Sequence, residues 1–182
     1  VSIGGALGIY QHLGLVSAST REISSAKSED DIFKIFFTAS IARYCVTIPI
    51  SLGLFFGAGS IAENLYHNPD LIFPLKIYGI TMLFQGVQGI LNSVISGTQR
   101  FKELFVYQIV IAFVNVLIFV PLVYFFKVPG YFYAFMLFNI ISSVSLAVIA
   151  FKPLKSKISL PTKEEFLRIF KEIFSISVAI YI

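Results

Sequence analysis

The stretch that decides the fold is IFPLKIYGITMLFQGVQGILNSVI, which runs from Ile72 to Ile95. About 20 mostly apolar residues, each rising 1.5 Å along a helix, cross the hydrocarbon core of a bilayer. This stretch is long enough to do so with some tilt. Its polar side chains follow a 4-3-4 spacing, which stacks them on one face of a helix. The sequence therefore predicts a membrane-spanning helix with a single polar face, formed by Thr81, Gln85, Gln88 and Asn92.

The composition of the whole chain indicates the same class of protein. Of its 182 residues, 57% are hydrophobic and 13% are charged, whereas soluble domains carry about 25% charged residues. A soluble protein of this size could not bury so much apolar surface. We therefore predict an all-α fold, a polytopic transmembrane helical bundle. The chain starts without Met inside one apolar run and stops inside another, which indicates a piece of a longer protein.

Hydropathy divides the chain into spans and connections. We predict about five membrane spans in residues 1–151, a basic connection over residues 152–172, and the start of a sixth span over residues 173–182. In the connection, Thr162 and Glu165 match a capping box, and the apolar face that follows predicts an amphipathic helix along the membrane surface. A plain linker between two bundles explains this pattern as well as a lipid-sensing role does. The predicted spans are Val1–Ser19, Phe36–Phe56, Ile72–Ile95, Leu104–Phe126 and Tyr131–Phe151.

Basic residues are concentrated in alternate connections. The connections Thr20–Lys34, Ser96–Glu103 and Lys152–Glu172 hold eleven Lys or Arg residues, while those on the opposite side hold one, Lys127. Because an excess of Lys and Arg marks cytoplasmic loops, we predict a multi-pass protein of the cytoplasmic membrane with its basic connections in the cytoplasm. Aromatic residues on both sides of Lys127 predict a belt at the outer surface. The net charge of +4 follows from this topology and does not indicate a nucleic-acid partner.

Motifs for catalysis and metal binding are missing from the sequence. It contains no glycine-rich nucleotide loop, no HExxH and no Cys/His cluster with metal-ligand spacing. We therefore predict no enzymatic activity, no catalytic residue, no metal and no cofactor. None of the ten acidic residues falls inside a predicted span, and this counts against a cation-coupled antiporter, because such transporters usually carry an intramembrane carboxylate.

Two cations fall inside predicted spans. Lys76 lies close enough to the outer end of its span for its stem to reach the interface. Arg43 lies about two and a half turns, or about 14 Å, beyond Lys34, and two interpretations stand: it extends to the cytoplasmic headgroups, or it faces a cavity and binds an anion. Two interpretations also stand for His12: it packs against neighbouring helices through hydrogen bonds, or it faces a cavity. The candidate cavity-lining residues are Arg43, Thr47, Thr81, Gln85, Gln88, Asn92, Gln108 and Asn115, with His12 and Asn139 as further candidates.

The order of several short motifs resembles a known family. SASTREIS (Ser17–Ser24) closes the first span, NPDLIFPLKI (Asn68–Ile77) opens the central span, and ISGTQRF (Ile95–Phe101) follows it on the cytoplasmic side. A long basic connection comes two spans later. This order is similar to that of the polysaccharide-export branch of the multidrug/oligosaccharidyl-lipid/polysaccharide exporter superfamily, the O-antigen-type lipid-linked oligosaccharide flippases.

The resemblance implies two lobes of six helices around a central cavity. This chain would supply helices two to six of the first lobe, the inter-lobe connection and the start of helix seven. Its expected partners are the second lobe of the same full-length chain, membrane lipid, and a lipid-linked sugar whose phosphate or pyrophosphate meets cationic cavity residues. Such proteins move lipid-linked oligosaccharide or polysaccharide precursors across the cytoplasmic membrane by alternating access. A cation-coupled multidrug antiporter of the same superfamily and a non-transporting membrane scaffold are the alternatives.

Overall fold

A computed structural model describes residues 14–152 and 158–181 of the chain, and no β-strand occurs among these residues. The all-α prediction is therefore confirmed for this part of the chain. His12 and most of the predicted span Val1–Ser19 lie outside it. The helices are α1 (Leu15–Ser25), α2 (Glu29–Ser60), α3 (Ile72–Gly97), α4 (101–126), α5 (128–151) and α6 (Lys163–Tyr181), with a π-helical turn at Ile61–Leu65 and a 3-10 turn at Pro69–Leu71.

Helices α4 and α5 form a hairpin that turns at Lys127. The backbone of Lys127 is non-helical, with a φ of 54°, and Pro129 lies in the first turn of α5, where its missing N–H costs no hydrogen bond. The ring of Phe119 lies 6.3 Å from that of Phe138, although a straight helix would separate these residues by about 28 Å. The turn predicted at Lys127–Gly130 is therefore present, but a single residue makes it.

The helices are longer than the predicted spans. Helix α1 continues to Ser25 and α2 already begins at Glu29, so the predicted connection Thr20–Lys34 is largely helical. Hydropathy misses these turns because their side chains are polar. The Ser28 side chain, for example, starts α2 by accepting a hydrogen bond from the Asp31 N–H.

Helix α3 lies at the centre of the bundle, where it packs against α1, α2 and the hairpin. Glycines let its neighbours approach closely. A Cβ added at Gly79 would lie 3.1 Å from the carbonyl oxygen of Ser51 in α2, and one added at Gly97 would lie 2.7 Å from the Cγ2 of Ile23 in α1. The stretch that predicted the fold is therefore the helix around which the others assemble.

Within residues 14–152 and 158–181, two helical stretches are long and apolar enough to cross a membrane, Glu29–Leu65 and Phe101–Phe151. The second stretch is the α4–α5 hairpin. Its outer face exposes large apolar side chains, among them Phe113 at 69% and Leu117 at 72%. Contiguous apolar surface of this kind is unfavourable in water and normal in hydrocarbon. The helices therefore indicate a membrane protein.

Polar contacts fasten the beginning of α6 to the beginning of α2. The Nζ of Lys34 lies 2.8 Å from Glu165 Oε1 and 3.0 Å from Asp30 Oδ2. Ser159 donates hydrogen bonds to Asp30 from both its N–H and its hydroxyl. The predicted capping box is present, because the N–H groups of Thr162 and Glu165 each donate to the side chain of the other. We call Asp30, Lys34, Ser159 and Glu165 the α2–α6 clasp.

Acid should open the α2–α6 clasp. Hydrogen bonds from Lys34 and Thr162 lower the pKa of Glu165 from 4.5 to about 2. Hydrogen bonds from Ser159 and Lys34 also lower the pKa of Asp30. A carboxylate whose pKa is lowered in the folded chain stabilises the fold above its unfolded pKa, and this contribution disappears as the pH falls through the folded value. Hydrogen exchange at the α6 amides should therefore be slow at pH 7 and accelerate between about pH 4.5 and 2 once the intrinsic pH dependence is removed.

Two substitutions distinguish opening of the α2–α6 clasp from a general effect of acid on the protein. Glu165→Gln removes the charge that pairs with Lys34, so we expect fast exchange in α6 already at pH 7. Glu164→Gln removes a neighbouring exposed carboxylate that forms no ion pair in the described part of the chain, and it should behave like the unmodified protein. Unchanged α6 exchange in Glu165→Gln would show that the clasp does not hold this helix.

Candidate functional site

Arg43 is a buried cation at the junction of three helices. It extends from α2 toward α3, where a Cβ at Gly89 would lie 3.3 Å from its Nη1 and 3.1 Å from Val16 of α1. Arg43 is only 3% exposed, and its Nε and Nη1 have no hydrogen-bond partner among the described residues. Because an unpaired buried charge is costly, this arrangement favours an anionic group that accepts hydrogen bonds from the guanidinium.

The neighbours of Arg43 on α2 form a polar face against the glycines of α3. The Oγ of Ser51 donates a 2.7 Å hydrogen bond to the carbonyl oxygen of Gly79. Thr47 packs beside Gly86 and is also buried, but its hydroxyl has no partner in the described part of the chain. We call Ser40, Arg43, Thr47 and Ser51 the α2 polar face. Its first three members carry buried polar atoms without partners there.

The polar residues predicted on α3 have different surroundings. Thr81 is buried and donates to the carbonyl oxygen of Ile77 in its own helix at 2.8 Å. The Nε2 of Gln88 donates to the Asn139 carbonyl oxygen and to the Ser143 hydroxyl, both at 3.0 Å and both on α5. Such interhelical hydrogen bonds contribute about 0.6 kcal/mol each in membrane proteins. Gln88 and Asn139 therefore join α3 to the hairpin.

The other candidates are not brought together by hydrogen bonds. Gln85 and Asn92 are half-buried on α3, and neither side chain forms a hydrogen bond within residues 14–152 and 158–181. Gln108 is exposed and Asn115 is half-buried on α4, the outer helix of the hairpin. His12 lies outside the described residues. The structure thus separates Arg43 and Thr47, on α2, from Gln108 and Asn115, on α4.

Sequence reasoning missed the residues that close the hairpin at the end opposite Lys127. The Tyr107 hydroxyl lies 2.6 Å from Ser142 Oγ. The guanidinium of Arg100 pairs with Glu103 and donates a 2.8 Å hydrogen bond to the carbonyl oxygen of Ile149. Arg100 therefore satisfies the carbonyl groups at the end of α5, as cations commonly do at helix C-termini. In the sequence, the position of Arg100 in the ISGTQRF motif was the signal that could have pointed to this role.

Long apolar helices and an apolar outer surface together indicate an α-helical membrane protein, and Arg43 and Thr47 place polar groups in its interior. A family model described as polysaccharide biosynthesis protein matches residues 6–182. The chain therefore belongs to the polysaccharide biosynthesis protein family. This agrees with the predicted resemblance at the level of polysaccharide biosynthesis and export. Neither the curated proteins nor the solved structures gave a match.

Proposed function

We propose that this chain is part of a transporter that moves a lipid-linked oligosaccharide or polysaccharide precursor across the cytoplasmic membrane. The observation that carries the proposal is Arg43, whose buried guanidinium keeps two nitrogen atoms without partners among the described residues. Precursors of this class carry sugars on a lipid phosphate or pyrophosphate, and such a headgroup cannot cross hydrocarbon unaided. A guanidinium matches phosphate oxygens with two parallel hydrogen bonds.

A substrate whose phosphate binds at Arg43 would stabilise the bundle. A phosphate at Arg43 takes up hydrogen-bond donors that are otherwise unsatisfied, so it offsets part of the cost of burying the cation. Gln85 and Asn92, half-buried on α3, keep amide donors and acceptors that suit sugar hydroxyls. Alternating access then requires the second lobe of the full-length chain, which moves against this bundle around the bound headgroup.

The alternatives fit the described residues less well. A cation-coupled multidrug antiporter usually carries an intramembrane carboxylate. The described acidic residues of α2 and α4 lie in the first turns of these helices, and α3 and α5 contain none. Glu172 lies in the middle of α6, which is not one of the two long apolar stretches. A non-transporting scaffold gives no reason to bury an arginine whose Nε and Nη1 lack partners among the described residues. We propose no enzymatic activity, because the sequence contains no motif for catalysis or metal binding.

Reconstitution of the full-length protein tests the proposed function. Vesicles are loaded with a polyprenyl-pyrophosphoryl N-acetylglucosamine that carries a fluorescent group, and dithionite then quenches the label on the outer leaflet. The transporter should bring inner-leaflet label outward, so that quenching becomes nearly complete, whereas protein-free vesicles keep their inner-leaflet signal. An equal protected fraction with and without protein would contradict the proposal. Sodium- or proton-driven efflux of a cationic dye from the same vesicles would favour the antiporter.

A further inference from the structure

An apolar groove lies between α4 and α5 on the surface of the hairpin. Its volume is about 410 Å³. It shares no residue with the α2 polar face, and neither the predicted candidates nor the proposed transport function uses it. Lys102 lies at one end of the groove, and its walls are mostly aliphatic side chains, Val106, Val110, Ile111, Val114, Ile141 and Ile149.

Positive charge is concentrated at the Lys102 end of this groove. Arg100 is neutralised by its ion pair with Glu103. Lys152 lies nearby, two residues beyond Ala150, whose carbonyl oxygen accepts a 3.4 Å hydrogen bond from Arg100. Hydrogen bonds from Arg100 and the charges of Arg100 and Lys152 lower the pKa of Glu103. Lys102 and Lys152 are exposed and form no ion pair within the described residues. This end of the groove therefore holds three cations, Arg100, Lys102 and Lys152, against the one carboxylate of Glu103, which leaves a net charge of +2.

We propose that the groove binds an anionic phospholipid, with its phosphate at Lys102 and Lys152 and one acyl chain along the aliphatic walls. Charge selects this occupant, because an anionic headgroup offsets the net positive charge at this end of the groove and a zwitterionic headgroup does not. Length agrees as well: from Lys102 to Val114 the groove follows about 18 Å of helix, close to the roughly 15 Å depth of one leaflet of hydrocarbon. Basic pockets between helices on the cytoplasmic side are known to bind anionic headgroups.

Native mass spectrometry of the full-length protein can test this site, with phosphatidylglycerol and phosphatidylcholine of identical acyl chains as probes. We expect a phosphatidylglycerol molecule to stay bound where phosphatidylcholine is lost. The double variant Lys102→Gln/Lys152→Gln should weaken retention roughly fivefold for each lysine, the equivalent of about 1 kcal/mol. The matched control Lys163→Gln/Lys171→Gln removes two lysines from α6, outside the groove, and should retain the lipid. Equal retention of both lipids, or equal losses in the two double variants, would overturn the proposal.

A second pair of variants tests the acyl chain without touching the lysines. Val110→Trp fills the groove at a side chain that is largely exposed, so the hairpin should still fold. Val120→Trp adds the same bulk at an exposed position of α4 that does not line the groove. Phosphatidylglycerol retention should fall in the first variant and persist in the second. Full retention in Val110→Trp would show that no acyl chain occupies the groove.

Discussion

Replacing Arg43 with glutamine should nearly abolish export while the protein inserts and accumulates normally. Glutamine keeps much of the length and polarity of the side chain but removes the charge that meets a phosphate. Breaking a buried, hydrogen-bonded charge pair costs about 2–5 kcal/mol, which corresponds to roughly 30-fold to several thousand-fold in rate. Arg43→Lys should keep part of the activity, because lysine restores the charge but not the rigid fork of donors.

Surface polysaccharide provides the measurement for these variants. Cells lacking their own copy of the gene carry each variant, and the amount of protein in the membrane is determined in parallel. Arg21→Gln is the matched control, because Arg21 is exposed near the end of α1 and away from the α2 polar face. Normal polysaccharide in Arg43→Gln at normal protein level would remove the basis for phosphate binding.

Alanine at Gly130 should disrupt the hairpin and sharply lower the thermal stability of the purified protein. The added Cβ would overlap the carbonyl oxygen of Leu122 and lie 2.7 Å from its carbonyl carbon and 3.0 Å from Phe126 Cβ. Two of these three atoms belong to the backbone of α4, so they cannot rotate away as a flexible side chain would. Overpacking of this kind costs about 1–3 kcal/mol and occasionally more.

Gly53→Ala and Gly59→Ala are the matched controls for Gly130. Both positions lie in α2, and nothing lies within 4 Å of a Cβ added at either of them. Because alanine favours helix over glycine by about 1 kcal/mol, both controls should leave the melting temperature unchanged or raise it. A melting temperature for Gly130→Ala that matches the controls would show that α4 and α5 do not meet as closely as described.

The sequence predicts helices well where apolar length alone sets their limits. The run Ile72–Ile95 corresponds closely to α3, Ile72–Gly97, because the apolar residues end where the chain turns. The prediction fails at the polar ends of α1 and α2, where the backbone stays helical to Ser25 and a Ser28 cap starts α2 before the apolar residues begin. Hydropathy measures the fit to hydrocarbon, whereas helix continuity depends on backbone hydrogen bonds.

The candidate site is less predictable than the fold. The spacing of polar residues shows which side of a helix they share, but not which other helix packs against that side. Gln85 and Gln88 share one face of α3, yet only Gln88 hydrogen-bonds to α5. Arg43 could equally reach the headgroups or the interior when judged by depth alone. Its burial depends on Gly89, which leaves room on α3 for the guanidinium, and one sequence does not show which helices face each other.

The proposals for Arg43 depend most on the membrane topology of the bundle. We predict that Gln99 and Lys155 are cytoplasmic, and that His67 and Pro129 are outside. Single cysteines at these positions report the side of the membrane when an impermeant maleimide is added to intact cells. Cys45 is exposed, so it is first replaced with serine. Permeabilised cells provide the control for reactivity at each position.

The topology predicts labelling of intact cells at positions 67 and 129 and labelling at positions 99 and 155 only after permeabilisation. The two ends of the α4–α5 hairpin would then lie on opposite sides of the membrane, as the positions of Lys127 and the basic connections require. Labelling of intact cells at position 155 but not at position 129 would contradict this orientation.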